Sequence, residues 1–346
     1  MSTASFARAT TRERVHEPDG QRVLIGRVWI DAVGFRAALK RIAALVDAGV
    51  GGSVFTPNVD HIVMAEDDPR FRDAYGRASL VLVDGMPVLW ASRLLRTPLV
   101  EKVSGSDLVV PLAQLAADSG WRVYLLGGGP GSAATAAARL ASEFGVNVVG
   151  HDAPVVSADG AAENEAAVFS RIRRARPDLV LVALGAPKQE FWIERARLSL
   201  GSAVAVAIGA GLDFVAGNLS RAPRWMCASG LEWLYRLAQE PRRLWRRYLV
   251  RDPRFLLVVA RTLREPRRAR MRDQLVSRIE REQHPQPSSL ERVVALGRVP
   301  FADRPWPAAD AASVERHRDG PYIAAPGEET PGRSRRISGG VEGAGS

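Results

Sequence analysis

Four short, β-branched apolar runs constrain this chain more than any other feature, because each is followed by a turn and then by residues with helical spacing. They are Gly52–Thr56, Ser79–Val83, Trp121–Leu126 and Asp178–Leu184; a fifth, Ala203–Ile208, ends in Gly209-Ala210-Gly211. Runs this short, punctuated by Gly and Pro, fit strands covered on both faces. Helical patterns lie between them, as in Gly131–Phe144 and Lys188–Leu200. The alternation predicts an α/β fold: a mainly parallel, Rossmann-like sheet with flanking helices. After Asn218 the pattern becomes helical and Arg-rich, interrupted by Pro241, Pro253 and Pro266. Beyond His284 it turns to Pro, Gly, Ser and charge without period. The organisation predicted is a flexible N-terminal segment over residues 1–20 and an α/β core over 21–220. A basic helical appendage follows over 221–284, and then a disordered tail over 285–346, too poor in apolar residues to offset its ordering.

At 346 residues and 46% hydrophobic content, the chain is long enough to bury a sizeable core. No apolar run approaches the roughly 20 residues that cross a bilayer as a helix. The first twenty residues hold no apolar stretch of signal-peptide length. Cys227 is the one cysteine, which excludes an internal disulfide framework and a Cys-based zinc site. These features predict a cytoplasmic protein, soluble or peripheral to a membrane.

The net charge of +10 is localised. Between Arg221 and Arg281 there are 17 Arg, no Lys and 6 Asp or Glu, so the rest of the chain is close to neutral. Such a segment faces something anionic: phospholipid headgroups, a diphosphate or nucleic acid. Leu231, Trp233, Leu234, Leu237, Leu244, Trp245, Tyr248 and Leu249 interleave with its arginines. An amphipathic segment rich in Arg and Trp, and too short to span, reads as one lying on an anionic membrane surface. The plainer reading is a solvated face packed on the domain. Arg236, Arg243 and Arg246, seven and three apart, share one helical face if the helix survives Pro241.

In a parallel sheet, ligands bind beyond the carboxyl ends of the strands. The residues just after each run are therefore the candidates for chemistry. Gly127 to Ser132 (GGGPGS) stands between a strand and a helix, where Gly127, Gly128, Gly129 and Gly131 let backbone N–H groups approach an anion; a purely structural turn is the alternative. Asp84, before Gly85-Met86-Pro87, is either a helix cap or a general base for a hydroxyl. Thr56 and Asn58 are turn residues or hydrogen-bond donors to a sugar. Gln189 and Asp213 are solvated helix-end residues or ligand contacts. His61 reads as a satisfied helix residue, since no His or Cys partner has metal-ligand spacing. No Asp-x-Asp pair follows a strand, so no metal ligand set is assigned; if the ligand is a nucleotide-sugar, other cations must offset its leaving diphosphate, and the Arg segment can supply them.

Taken in order, these stretches resemble the WecG/TagA/CpsF family of bacterial glycosyltransferases. The matching residues are Thr56–Asn58 (TPN), Ala78–Trp90 (ASLVLVDGMPVLW), Ser104–Leu108 (SGSDL), Tyr124–Gly131 (YLLGGGPG), Asp178–Glu190 (DLVLVALGAPKQE), Gly209–Gly217 (GAGLDFVAG), Arg221–Trp225 (RAPRW) and Leu231–Arg247 (LEWLYRLAQEPRRLWRR). The resemblance runs from about Val23 to Leu249. It implies an inverting, metal-independent and cofactor-free transfer from a UDP-sugar to a polyprenyl-diphosphate-linked saccharide in cell-surface polysaccharide synthesis. The sugar is N-acetylmannosamine, its uronic acid or glucose. It further implies that Asp84 is the base and that Thr56, Asn58 and Gln189 line the active site. Arg236, Arg243 and Arg246 would come from an appendage that reaches the inner face of the cytoplasmic membrane. Self-association is compatible with this reading. The chain departs from the family in extending past Leu249. Two other classes stay open: an NAD(P)-dependent oxidoreductase, suggested by the glycine turn and Asp152 about 20 residues on, and a nucleic-acid-binding protein using the Arg segment, which leaves the strand-end residues without a use.

Overall fold

The computed structural model describes residues 21–264. The expected N-terminal segment, the tail over 285–346, Pro266 and the rest of the appendage beyond residue 264 lie outside the described residues. The chain opens with an antiparallel hairpin, β1 (Arg22–Ile25) and β2 (Val28–Asp31). Then come α1 (Phe35–Ala48), β3 (Gly52–Phe55), α2 (Val59–Asp67), α3 (Pro69–Arg77), β4 (Leu80–Val81), α4 (Met86–Leu94) and α5 (Gly105–Ser119). The second half runs β5 (Arg122–Gly127), α6 (Ser132–Phe144), β6 (Asn147–Asp152), α7 (Glu165–Ala175), β7 (Leu179–Ala183), α8 (Lys188–Leu200), β8 (Val204–Ala207) and α9 (Gly211–Ala216).

Strands β3 to β8 form one sheet in the order β4-β3-β8-β7-β5-β6, with every pairing parallel. The α/β fold read from the sequence is the fold of the chain. Every residue of β7 and β8 is buried, as their unbroken apolar runs require. Each such Val or Leu contributes roughly 1.5–3 kcal/mol of burial free energy. Because all strands point one way, the turns after β3, β4, β5, β7 and β8 emerge at one end of the sheet.

Four strands differ from the expectation: the two of the hairpin, β6 and β4. The hairpin was not anticipated; its buried Asp31 accepts from Arg22 Nε (3.1 Å) and from the Val81 N–H (2.9 Å), which fastens it to β4. Strand β6 lies at the sheet edge with most of its residues only half buried, so its sequence NVVGHD lacks a long apolar run. Strand β4 has two ladder residues rather than five. The run still bonds β3 on either side, from the Ser79 N–H to the Ser53 carbonyl and from the Leu82 N–H to the Phe55 carbonyl.

After α9 the chain becomes a series of short helices: α10 (Arg224–Ala228), α11 (Glu232–Gln239), α12 (Pro241–Arg246), a π-helical turn (Arg247–Arg251) and α13 (Arg254–Arg264). Pro241 opens α12 after a break at Glu240, as its missing N–H favours. Helix α13 buries Phe255, Val258 and Val259 in the main core and leaves Leu256 and Leu257 each 71% exposed. No helix among the described residues is long and apolar enough to cross a membrane.

Candidate active site

Asp84 stands at the carboxyl end of the β4 run, half buried, and its N–H bonds the Pro57 carbonyl at 2.9 Å, which draws the β3 and β4 turns together. It does not cap α4, whose N-cap is Gly85 without a side-chain bond. Among the described residues its carboxylate has neither a hydrogen bond nor an ion pair. Burial raises its pKa above the ordinary carboxylate value; the positive charges of Lys102 and Arg236 pull against that rise, while Glu232 and Asp107 add to it.

Lys102 was not singled out from the sequence. It lies in the link between α4 and α5, where no motif marks it. Its Nζ is 3.3 Å from Glu232 Oε2 and 3.8 Å from Asp107 Oδ2. Burial opposes its charge, but the carboxylates of Asp84, Glu232 and Asp107 outweigh burial and hold it protonated. Arg221 completes the cluster by pairing with Asp107 and donating to the Ser106 carbonyl (2.7 Å).

Arg236 enters from α11. Its guanidinium lies 5.6 Å from the centroid of Phe214, a ring that Arg221 also covers at 5.2 Å, and its Nε is 3.9 Å from Glu232 Oε1. Arg246 is exposed, 5.9 Å from the ring centroid of its neighbour Trp245. The helix breaks at Glu240 (φ −132°, ψ 59°), so the spacing of seven and three is not carried on one continuous helix. The Arg243 side chain lies outside the described residues. Arg247, also not singled out, instead reaches the strand ends: its Nη2 donates to Asn58 Oδ1 at 3.0 Å.

Asn58 caps α2. Its Oδ1 accepts the Asp60 N–H (3.1 Å) and lies 2.7 Å from His61 Nδ1, an arrangement that fixes the first turn. His61 is buried, with Nε2 3.3 Å from Glu190 Oε1. Thr56 is buried and donates to the Ala207 carbonyl (3.3 Å). Gln189 is buried too, with both ends of its amide used: Oε1 accepts the Gly209 N–H (3.2 Å) and Nε2 donates to Glu190 Oε1 (2.9 Å). These bonds tie the turns after β3, β7 and β8 into one floor. A close approach helps: a Cβ on Gly105 would lie 2.6 Å from the Ala207 carbonyl oxygen and 2.9 Å from Thr56 Oγ1, so only glycine admits α5 there.

The glycine turn sits between β5 and α6 as expected, yet the Gly128 and Gly129 N–H groups are already bonded, that of Gly128 to the Ala183 carbonyl. Asp213 Oδ1 accepts the Gly129 N–H (2.7 Å) and the Ser132 hydroxyl (2.6 Å), and Asn218 Nδ2 donates to Ser132 Oγ (2.8 Å). Gly127, at φ +94°, leaves no room for a Cβ against the Ala183 carbonyl, and Gly128 and Gly131 also hold positive φ. A phosphate brought to the end of α6 would meet the Asp213 carboxylate, which repels it. Asp152, the candidate ribose ligand of a dinucleotide site, accepts a bidentate pair of bonds from Arg171 and the hydroxyl of Tyr124.

Among the described residues no group of three or more His, Cys, Asp or Glu is placed to hold a metal ion. A surface depression of about 360 Å³ opens elsewhere, between α2 and α13, lined by Glu66, Asp67, Arg254, Leu257 and Arg261. Its charges pair with one another, Arg254 with Asp67 (2.7 Å) and Arg261 with Glu66 (2.9 Å).

Comparison with known proteins adds an independent line. Residues 23–269 match the family described as Glycosyl transferase WecG/TagA/CpsF family. A protein of Bacillus spizizenii, named N-acetylglucosaminyldiphosphoundecaprenol N-acetyl-beta-D-mannosaminyltransferase, is 34% identical over 205 residues, 59% of this chain and 77% of its own length. A Bacillus subtilis protein of the same name is 32% identical over 215 residues, covering 62% and 81% respectively.

Proposed function

The chain belongs to the WecG/TagA/CpsF family of glycosyltransferases, and from that premise we propose that it moves a sugar from a UDP-sugar to a polyprenyl-diphosphate-linked saccharide. The names of the Bacillus relatives favour N-acetylmannosamine as the sugar and a lipid-diphosphate-linked N-acetylglucosamine as the acceptor; the uronic acid or glucose are the other donors the reading admits.

One observation carries the mechanism: a half-buried, unpaired carboxylate at a strand end, facing a lysine and an arginine. The Asp84 carboxylate takes the proton of the acceptor hydroxyl as that oxygen forms a bond to the anomeric carbon. The bond from that carbon to the UDP oxygen breaks on the opposite face, so the anomeric configuration inverts. Arg236 offsets the negative charge that develops on the departing diphosphate, and Lys102 does so from the core side. Arg243 and Arg246 belong to this role if substrate draws α12 closer. Thr56, Asn58 and Gln189 shape the floor on which the sugars rest. The glycine turn and Asp213 suit the hydroxyls of the nucleoside better than its diphosphate, because Asp213 is an acceptor.

The same reading makes 21–220 the catalytic core and 221–284 the appendage that brings it to the inner face of the cytoplasmic membrane, where a lipid-linked acceptor resides. The test is UDP release by the full chain with UDP-N-acetylmannosamine, UDP-N-acetylglucosamine or UDP-glucose, a detergent-dispersed polyprenyl-diphosphate sugar and EDTA. Acceptor-dependent release with one donor supports the reading and names the sugar. Silence from every donor, the uronic acids included and Mg²⁺ restored, defeats it.

A further inference from the structure

Asp60, in the first turn of α2, is 2% exposed. A carboxylate that deep persists only when cations answer it. Its cations come from nearly 190 residues away. Arg247 Nε lies 3.1 Å from Oδ2, and Arg251 brings Nε to 2.5 Å from Oδ1 and donates Nη2 to Oδ2 at 3.0 Å. Both arginines belong to the π-helical turn, a geometry that puts them on the same carboxylate. Arg247 also holds Asn58, and the ring of its neighbour Tyr248 meets Trp233 of α11 at 5.9 Å. A chain of contacts thus leads from Asp60 through Arg247 and Tyr248 to α11, the helix that carries Arg236. The flanking pairs, Arg254 with Asp67 and Arg261 with Glu66, have half-exposed arginines and contribute less.

We propose that Asp60 is a positioning residue, a buried anchor that docks the C-terminal segment on the core and so sets Arg236 beside Asp84. The docking stands on geometry alone; its effect on turnover rests on the glycosyltransferase reading.

Full-length Asp60→Asn and Arg251→Ala test the anchor from its two ends. Arg251 is partly exposed, so its replacement leaves the core intact should the Asp60 variant fail to fold. Chymotrypsin cleavage at Trp233, Tyr235, Trp245 and Tyr248 reads docking without any substrate. Cleavage in this segment should quicken about tenfold or more in both variants. In the transfer assay kcat should fall about tenfold while the donor KM stays near wild type, and Asp60→Glu should recover part of the loss. The double variant should be no worse than the poorer single one. Unchanged cleavage overturns the anchor. Faster cleavage with wild-type kcat overturns the positioning role, and additive losses overturn the coupling of the two residues. If wild-type protein transfers no sugar at all, the functional reading has failed, and the cleavage arm still decides the anchor.

Discussion

A carboxylate that is to remove a proton from a hydroxyl must be free of strong partners and must hold its proton weakly enough to be ionised at work. Asp84 meets the first condition, and burial against the charges of Lys102 and Arg236 decides the second. Asp84→Asn keeps the shape of the site and removes the base. Transfer should fall by about 10²–10⁴-fold while donor binding, measured by calorimetry, stays close to wild type; near-normal turnover would remove Asp84 from the mechanism. Lys102 supplies a second test with a definite sign. Because the rate needs ionised Asp84, it should drop as pH falls through the raised pKa of that carboxyl. Lys102→Met deletes a positive charge that favours the ionised form, so the acid limb of kcat/KM should move to higher pH. A limb that stays put would belong to some other group.

At the scale of elements, legibility followed burial. The strands β3, β5, β7 and β8 announce themselves because both faces are covered, which leaves only apolar residues to choose from. Edge strand β6 (NVVGHD) is half polar, and nothing local distinguishes it from a loop; the hairpin strands RVLI and VWID are mostly apolar but only four residues long, with no helical pattern between them to mark a crossover. Helix α8 was read to its ends, and the interruption at Pro241 was visible in the sequence. What was legible of the candidate site is position: Asp84, Thr56, Asn58, Gln189 and Asp213 each follow a strand that the apolar runs mark. Lys102, Arg247 and Asp60 were not legible, because each acts through a partner far along the chain. Asp252, at the joint between the π-helical turn and α13, shows the same dependence. Burial, and then the nearby Asp60 charge, lift its carboxyl from 3.8 to about 6 against the pull of Arg247 and Arg251. The folded state therefore binds this proton more tightly than the unfolded chain. The stability it lends is full below about 3.8 and is lost as pH rises through about 6. Asp252→Asn escapes that loss. Its melting temperature should exceed wild type at pH 8, with the gap closing below pH 4; a constant gap across that range would refute the assignment.

For the whole molecule, the distribution of apolar surface is the informative quantity. Among the described residues, nine of the fourteen large hydrophobic residues left exposed fall between Trp225 and Leu263, the segment that also carries the excess arginine. A water-soluble face gains nothing from Leu256 and Leu257 at 71% exposure, with Val250 and Leu249 nearby at 60% and 58%. A bilayer interface satisfies both features together, since each nearby arginine adds about 1 kcal/mol of attraction to anionic lipid and each inserted leucine roughly 1.5–3 kcal/mol. The full chain should therefore sediment with vesicles rich in anionic phospholipid and bind neutral vesicles far less. Salt should weaken the binding, because only the electrostatic part is screened. Leu256→Ser with Leu257→Ser spares the buried face of α13, so folding should be unaffected. It should still lower the partition onto anionic vesicles by about tenfold or more at constant salt. Retained binding in that variant would leave charge alone holding the protein at the surface; loss of salt dependence instead would assign the attachment to the apolar face.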